Sequence, residues 1–309
     1  MSTAGLAPTV LRRRRDHSHP WLKRTSGSRS LFRVRRRACE SAVVTPWSPA
    51  LDSSPSMYRF LRLRGHRVAY RAYGDPNGEP VVLLHAFASQ SGSWSHTAEA
   101  LAQQGFRVIA PDLRGHGRSD WTPTYSLADF EDDLSDLLDA LGLGAINLIG
   151  HSLGGHLALK LATHQPERIR RLVIEAAPVP PRDVADATAL AAAQAGPAWQ
   201  RSLRLLGLGR LLRLMLLRQF DLRAARTVLP ELRAPMPAWW SRLSTLRAPC
   251  LLLASHDDGF VSSRLPLLAA QIPHAVTRRF GSGHRLHGEH TAAFLAEVIP
   301  FVTPPVYAE

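Results

Sequence analysis

A serine hydroxyl becomes an effective nucleophile only when a base removes its proton, so a reactive serine should sit beside a histidine and an acid. Ser152 lies in Gly150-His151-Ser152-Leu153-Gly154, a G-x-S-x-G run. The apolar stretch Ile146-Asn147-Leu148-Ile149 precedes it, and a helical pattern follows through about Thr163. Between a strand and a helix, this run reads as a nucleophile elbow: a strained turn lifts the hydroxyl above a sheet at a helix N-terminus. Two later segments offer the partners. Ser255-His256-Asp257-Asp258 follows the apolar run Cys250 to Ala254, and Gly281-Ser282-Gly283-His284 follows the run Ala275 to Phe280. Both fall at carboxyl ends of strand-like runs, where open parallel sheets carry their sites. The expected chemistry is attack by Ser152, with His284 as base and an aspartate orienting the imidazole.

Such a site needs a scaffold, and strand-like and helix-like patterns alternate from residue 57 onward. That alternation predicts an α/β fold, a mostly parallel sheet covered by helices. Residues 58–63 and 66–73 read as a hairpin around Gly65, Val81 to Leu84 as a strand ending at His85, and Arg107 to Ala110 as another, closed by Pro111. Residues 94–104 read as helical. Leu127, Phe130, Leu134, Leu137, Leu138 and Leu141 recur at helical spacing, with Ser126 and Asp129 forming a capping box at the start. Arg171 to Glu175 is a further strand.

Four motifs in order resemble the α/β-hydrolase superfamily over residues 58 to about 303. They are His85-Ala86-Phe87-Ala88, Pro111-Asp112-Leu113-Arg114-Gly115-His116-Gly117-Arg118-Ser119, the Ser152 elbow, and the Asp258/His284 pair. The resemblance implies an eight-stranded sheet with a helical cap inserted after the sixth strand. It aligns the acid with Asp258 rather than Asp257, with Glu175 as the alternative acid, since some members draw it from that strand. It assigns the oxyanion hole to the backbone N–H groups of Phe87 and Leu153, donors worth about 2.7–4 kcal/mol each in such sites. Two positions depart from the family pattern. Ala86 stands where glycine is usual, and a positive φ there would cost an alanine about 1 kcal/mol. Ser255 also replaces a usual glycine. The implied activity is hydrolysis of a carboxylic ester or related acyl compound without a cofactor. C–C bond hydrolysis, or acyl transfer and perhydrolysis by the same triad, are the alternatives. A non-catalytic binding protein on this scaffold is the alternative of another class.

The remaining histidines read mostly as bystanders. His85 and His116 are expected to make structural hydrogen bonds near the site, and His151 to line the elbow. His287 and His290 share an i,i+3 spacing around Glu289 but lack a third ligand, so they read as solvent-exposed and no metal is expected. Asp112 and Arg114 are expected to fasten their own loop. Residues 57–179 and 248–309 form the expected core, and 180–247 the cap. A substrate pocket is expected from Trp121, Met215, Phe220, Trp239 and Trp240, lined for an apolar or acyl small molecule. Phe87 is a further lining candidate, and Trp94 reads as lining or as core.

Charge places the other expectations. The chain has 309 residues and a net charge of +13. Residues 1–56 carry +8 and residues 201–247 another +8, while the rest is slightly acidic. Only Lys23 and Lys160 are lysines, a skew that reads as genome composition. A nucleic-acid surface would spread through the fold, so no nucleic-acid partner is expected. The arginines of the cap face solvent, an anionic substrate group or a membrane surface. Residues 1–56 read as a disordered basic extension, or as untranslated sequence if synthesis starts at Met57. Neither a signal peptide nor a membrane-spanning run is recognised, which points to the cytoplasm.

Overall fold

Consecutive apolar residues in a strand project to opposite faces, so a run without polar breaks needs cover on both sides. The computed structural model, which describes residues 58–193, 217 and 219–303, supplies that cover. Met57, the basic segment before it, Met215 and the leucine-rich stretch up to Leu216 lie outside those residues.

Eight strands form one sheet in the order β1-β2-β4-β3-β5-β6-β7-β8. They are β1 (Tyr58–Leu63), β2 (His66–Tyr73), β3 (Pro80–Leu84), β4 (Arg107–Pro111), β5 (Ile146–His151), β6 (Ile169–Glu175), β7 (Cys250–Ala254) and β8 (Ala275–Arg279). β2 runs antiparallel to β1 and to β4, and all other neighbours are parallel. This is the mostly parallel, eight-stranded α/β sheet that the sequence implied.

Alternation along the central strands sorts the core into two layers. Val82 and Leu84 of β3, Leu148 of β5, Leu172 and Ile174 of β6 and Leu252 of β7 join one buried cluster. Helices α2 (Leu127–Ala140), α3 (Leu153–His164) and α7 (Gly259–Gln271) contribute to the same cluster. Val81, Leu83, Ile149, Val173, Leu251 and Leu253 face the other way. They meet Ala98 and Leu101 of α1 (Ser95–Gln103) and Phe294, Val298 and Val302 of α9 (Thr291–Val302). α2 begins as expected: the Ser126 hydroxyl accepts from Asp129 N–H, and the Asp129 carboxylate accepts from Ser126 N–H. The edge strand β8 is mostly exposed and carries Arg278 and Arg279, charges that discourage pairing with another sheet edge.

Three described helices lie between β6 and β7: α4 (Val184–Ala193), α5 (Arg223–Arg233) and α6 (Pro237–Leu243). Specific bonds tie them down. The Tyr125 hydroxyl donates to Asp221 at 2.5 Å, and the Glu231 carboxylate accepts from Leu127 N–H at 2.7 Å, at the start of α2. Arg264 of α7 donates to both carboxylate oxygens of Asp186 and to the Pro180 carbonyl. No described helix is long and apolar enough to cross a membrane.

Candidate active site

Parallel strands β3, β5, β6, β7 and β8 all end on one side of the sheet, and the candidate residues follow those ends. Ser152 joins β5 to α3 with φ 52 and ψ −117, a backbone that an L-residue rarely adopts. Gly150 and Gly154 permit the turn. A Cβ on Gly150 would lie 2.3 Å from the Gly154 carbonyl oxygen, and one on Gly154 would lie 2.3 Å from that of Leu84. The strained serine is held from both sides: its N–H donates to the Glu175 carbonyl at 2.8 Å, and its carbonyl accepts from His156 N–H at 3.0 Å.

The segment after β7 carries adjacent aspartates that do different things. Asp258 Oδ2 lies 2.6 Å from His284 Nδ1, which leaves Nε2 free to act as a base. Asp257 Oδ1 instead accepts from Gly283 N–H at 2.8 Å, and that bond lowers its pKa. Asp257 thus fixes the loop, and Asp258 touches the imidazole. Ser255 earns its place where glycine is usual, since its hydroxyl accepts from Asp258 N–H at 3.0 Å.

The loop after β3 takes its positive φ two residues beyond Ala86. Positive φ falls at Ala88 (53°), and Ala86 is absent from the positive-φ positions. The departure at Ala86 therefore carries no left-handed penalty. His85 fixes the loop: its Nε2 accepts from Leu113 N–H at 2.9 Å, so Nδ1–H donates to the Ala86 carbonyl at 2.8 Å. Neither Phe87 N–H nor Leu153 N–H donates to a backbone carbonyl among the described residues. The Asp112 carboxylate accepts from Ser91 N–H at 2.6 Å and Arg118 N–H at 2.8 Å. Arg114 grips Asp133 through two bonds of 2.6 and 2.7 Å.

His116 is fully buried, and its Nδ1–H donates to the Arg114 carbonyl at 2.8 Å. Burial lowers its pKa to about 3, so it stays neutral. Its ring packs on Phe220, 4.8 Å away, and Phe220 meets the Phe87 ring edge-on at 4.9 Å. Phe220 is thereby adjacent to the loop after β3. Trp239 stacks on His156 at 5.2 Å, and Trp240 Nε1–H donates to the Pro180 carbonyl at 3.0 Å. Both tryptophans are buried in the core cluster. Trp121 lines a separate groove of about 540 Å³ with Arg64, His66, Arg114, Asp120 and Asp129, which contains none of Ser152, Asp258 or His284. Met215 lies outside the described residues. Trp94 is fully buried and stacks on His287 at 3.8 Å.

His287 corrects the reading of an exposed His287/His290 pair. It is 1% exposed and bonds Glu175, which sits 112 residues earlier in the chain. His290 accepts from Ser282 N–H at 2.9 Å. Nothing near His287 in sequence signals the Glu175 contact; the one hint is a carboxylate closing the apolar run Leu172-Val173-Ile174. Burial pushes the Glu175 carboxyl upward, but the His287 and His151 imidazoles and two hydrogen bonds from His287 outweigh it and hold it below the usual carboxylate range. His151, Glu175 and His287 are also the one described group offering three metal-type ligand atoms within 4.8 Å of one another. Within that group, His151 Nε2–H donates to the His284 carbonyl at 2.7 Å, and His287 Nδ1–H to Glu175 at 2.7 Å.

Comparison with known proteins gives this geometry a family. Residues 79–291 match the model of the alpha/beta hydrolase fold. An uncharacterized protein of Mycobacterium tuberculosis is 36% identical over 137 residues, covering 44% of this chain and 39% of that protein, so the chain matches well under half of that relative's length. A 2-hydroxy-6-oxononadienedioate/2-hydroxy-6-oxononatrienedioate hydrolase of Burkholderia vietnamiensis is 30% identical over 265 residues, covering 76% of this chain and 91% of that one. Among solved structures, Est816, described as an N-acyl homoserine lactone degrading enzyme, is 28% identical with a TM-score of 0.62, over 79% of this chain and 100% of that one. The elbow, the sheet and a family match spanning two thirds of its length mean that this chain belongs to the α/β-hydrolase fold family.

Proposed function

We propose that this protein is a serine hydrolase cleaving a carboxylic ester or a related acyl compound, including a lactone, through an acyl-enzyme. The carrying observation is the His284–Asp258 hydrogen bond of 2.6 Å on the side of the sheet where Ser152 occupies its strained elbow. The His284 segment is bonded directly to the residue before Ser152, through His151 Nε2–H and the His284 carbonyl.

In this reading Ser152 Oγ attacks the acyl carbon as His284 Nε2 takes its proton. Asp258 orients the ring and stabilises its cation. The N–H groups of Phe87 and Leu153 receive the developing oxyanion, Leu153 from the first turn of α3, where the helix dipole also favours negative charge. His284 then protonates the leaving group, and water activated by the same imidazole releases the acid. Phe87 and Phe220 provide an apolar wall beside that oxyanion. The helices between β6 and β7 act as a cap over the site.

Ser152→Ala is expected to lower kcat by roughly 10⁴–10⁶-fold on p-nitrophenyl esters. It should abolish fluorophosphonate labelling while leaving the far-ultraviolet circular dichroism unchanged. Retained labelling would overturn the assignment. A second reading, C–C bond hydrolysis by the same triad, is favoured by the likeness to the Burkholderia hydrolase. Turnover of a vinylogous diketone dicarboxylate, with esters and lactones untouched, would select it.

A further inference from the structure

Glu175 serves two segments of the site at once. Its backbone carbonyl accepts the Ser152 N–H at 2.8 Å. Its carboxylate crosses to the short helix α8 (Leu286–Glu289), where Oε1 accepts His287 N–H at 3.1 Å and Oε2 accepts His287 Nδ1–H at 2.7 Å. Both side chains are fully buried. The His287 ring lies flat against Trp94, 3.8 Å away and inclined by 23°. His151 completes the connection: its ring sits 4.9 Å from that of His287 and 5.0 Å from that of His284, and it donates to the His284 carbonyl at 2.7 Å.

Removing a carboxylate and a polar ring from water is costly, and apolar residues of similar size would fill such a volume at lower cost. A clamp of two hydrogen bonds supplies what apolar packing lacks, a fixed distance and direction between β6 and the chain just past His284. The geometry points to Glu175 and His287 as positioning residues that set the His284 imidazole relative to Ser152. This inference rests on reading His284 as the general base. His284 is then restrained at four points: at its ring by Asp258, at the preceding amide by Asp257, at its own carbonyl by His151, and three residues downstream by Glu175. A catalytic group displaced by about 1 Å forfeits on the order of 100-fold in rate, so the last restraint has measurable consequences for turnover.

The test is a double-mutant cycle on ester hydrolysis with Glu175→Leu, His284→Ala and the double variant. Glu175→Leu is expected to lower kcat by about 10- to 100-fold with KM within about twofold. In the His284→Ala background, which has no imidazole left to place, the same change should alter the residual rate by less than about threefold. An equal loss in both backgrounds would mean general damage to the fold and would overturn the proposal. Undiminished kcat in Glu175→Leu would overturn it as well. A His284→Ala variant with wild-type activity would instead sink the general-base reading itself, so the two failures are distinguishable. If Glu175→Leu does not yield folded protein, Glu175→Gln keeps one acceptor for His287 N–H. Its kcat should fall by a smaller factor, about three- to tenfold, that again vanishes without His284; persistence of that factor would overturn the proposal.

Discussion

Two neighbouring carboxylates of the same chemical type are given different work by the bonds they make. Asp258 touches the imidazole of His284, while Asp257 holds the amide of Gly283. Asp258→Asn is expected to reduce kcat by roughly 10³–10⁴-fold, because the amide cannot stabilise the imidazolium and favours the wrong tautomer. Asp257→Asn retains an acceptor and should cost less than about tenfold. Matched kinetics on one ester check this, and equal losses would show that the assignments are wrong. At this scale the sequence was informative where a motif fixes a backbone and silent where a contact is long-range. Ser152 and Asp258 stand out because each follows an apolar run, and His284 because it follows a strand-like run and a Gly-Ser-Gly turn. The Glu175–His287 contact is illegible because a spacing of three residues on a helix says nothing about a strand end 112 residues away. The question raised by Ala86 could not be answered from sequence for a related reason: a motif marks a loop but not which of its residues takes the positive φ, which falls at Ala88.

At the scale of elements, the elbow works because β5, α3 and β3 approach one another without side chains between them. Gly154→Ala places a Cβ 2.3 Å from the Leu84 carbonyl oxygen, a backbone atom that no rotamer change can move aside. A loss of at least about 2 kcal/mol in urea unfolding is expected, of the order seen for overpacking. Gly144 has no atom within 4 Å of such a Cβ, and Gly144→Ala should stay within about 0.5 kcal/mol of wild type. Comparable losses at both positions would contradict the steric account. The central strands were legible because burial on both faces demands apolar runs. The helices between β6 and β7 were legible only in outline: their composition marks helix, but the bonds that seat them, such as Glu231 to Leu127 N–H, pair residues with no shared periodicity.

For the whole molecule, three of the buried imidazoles make acid destabilising. Burial lowers the pKa of His116 and His151 to about 3 each and that of His156 to about 4. In the unfolded chain the same groups titrate near 6.5. Their folded values are depressed, so the stability they contribute is complete above pH 6.5 and is lost as the pH falls toward 4 and below. Each removes at most about 1.4 kcal/mol per pH unit across that window. Glu175 acts in the same direction at the lower end of the range, since its carboxylate is held low in the folded state. Tm should therefore be nearly level from pH 7 to 8 and drop steeply below pH 6; a level Tm down to pH 5 would refute the account.

The shared direction of the parallel strands has a practical consequence. All the candidate chemistry follows their carboxyl ends, whereas the turn entering β5 lies at the other end of that strand and exposes Gly144. A dye, linker or solid support attached there would be anchored at the end of β5 remote from Ser152. The molecule thus has a working end and a handling end.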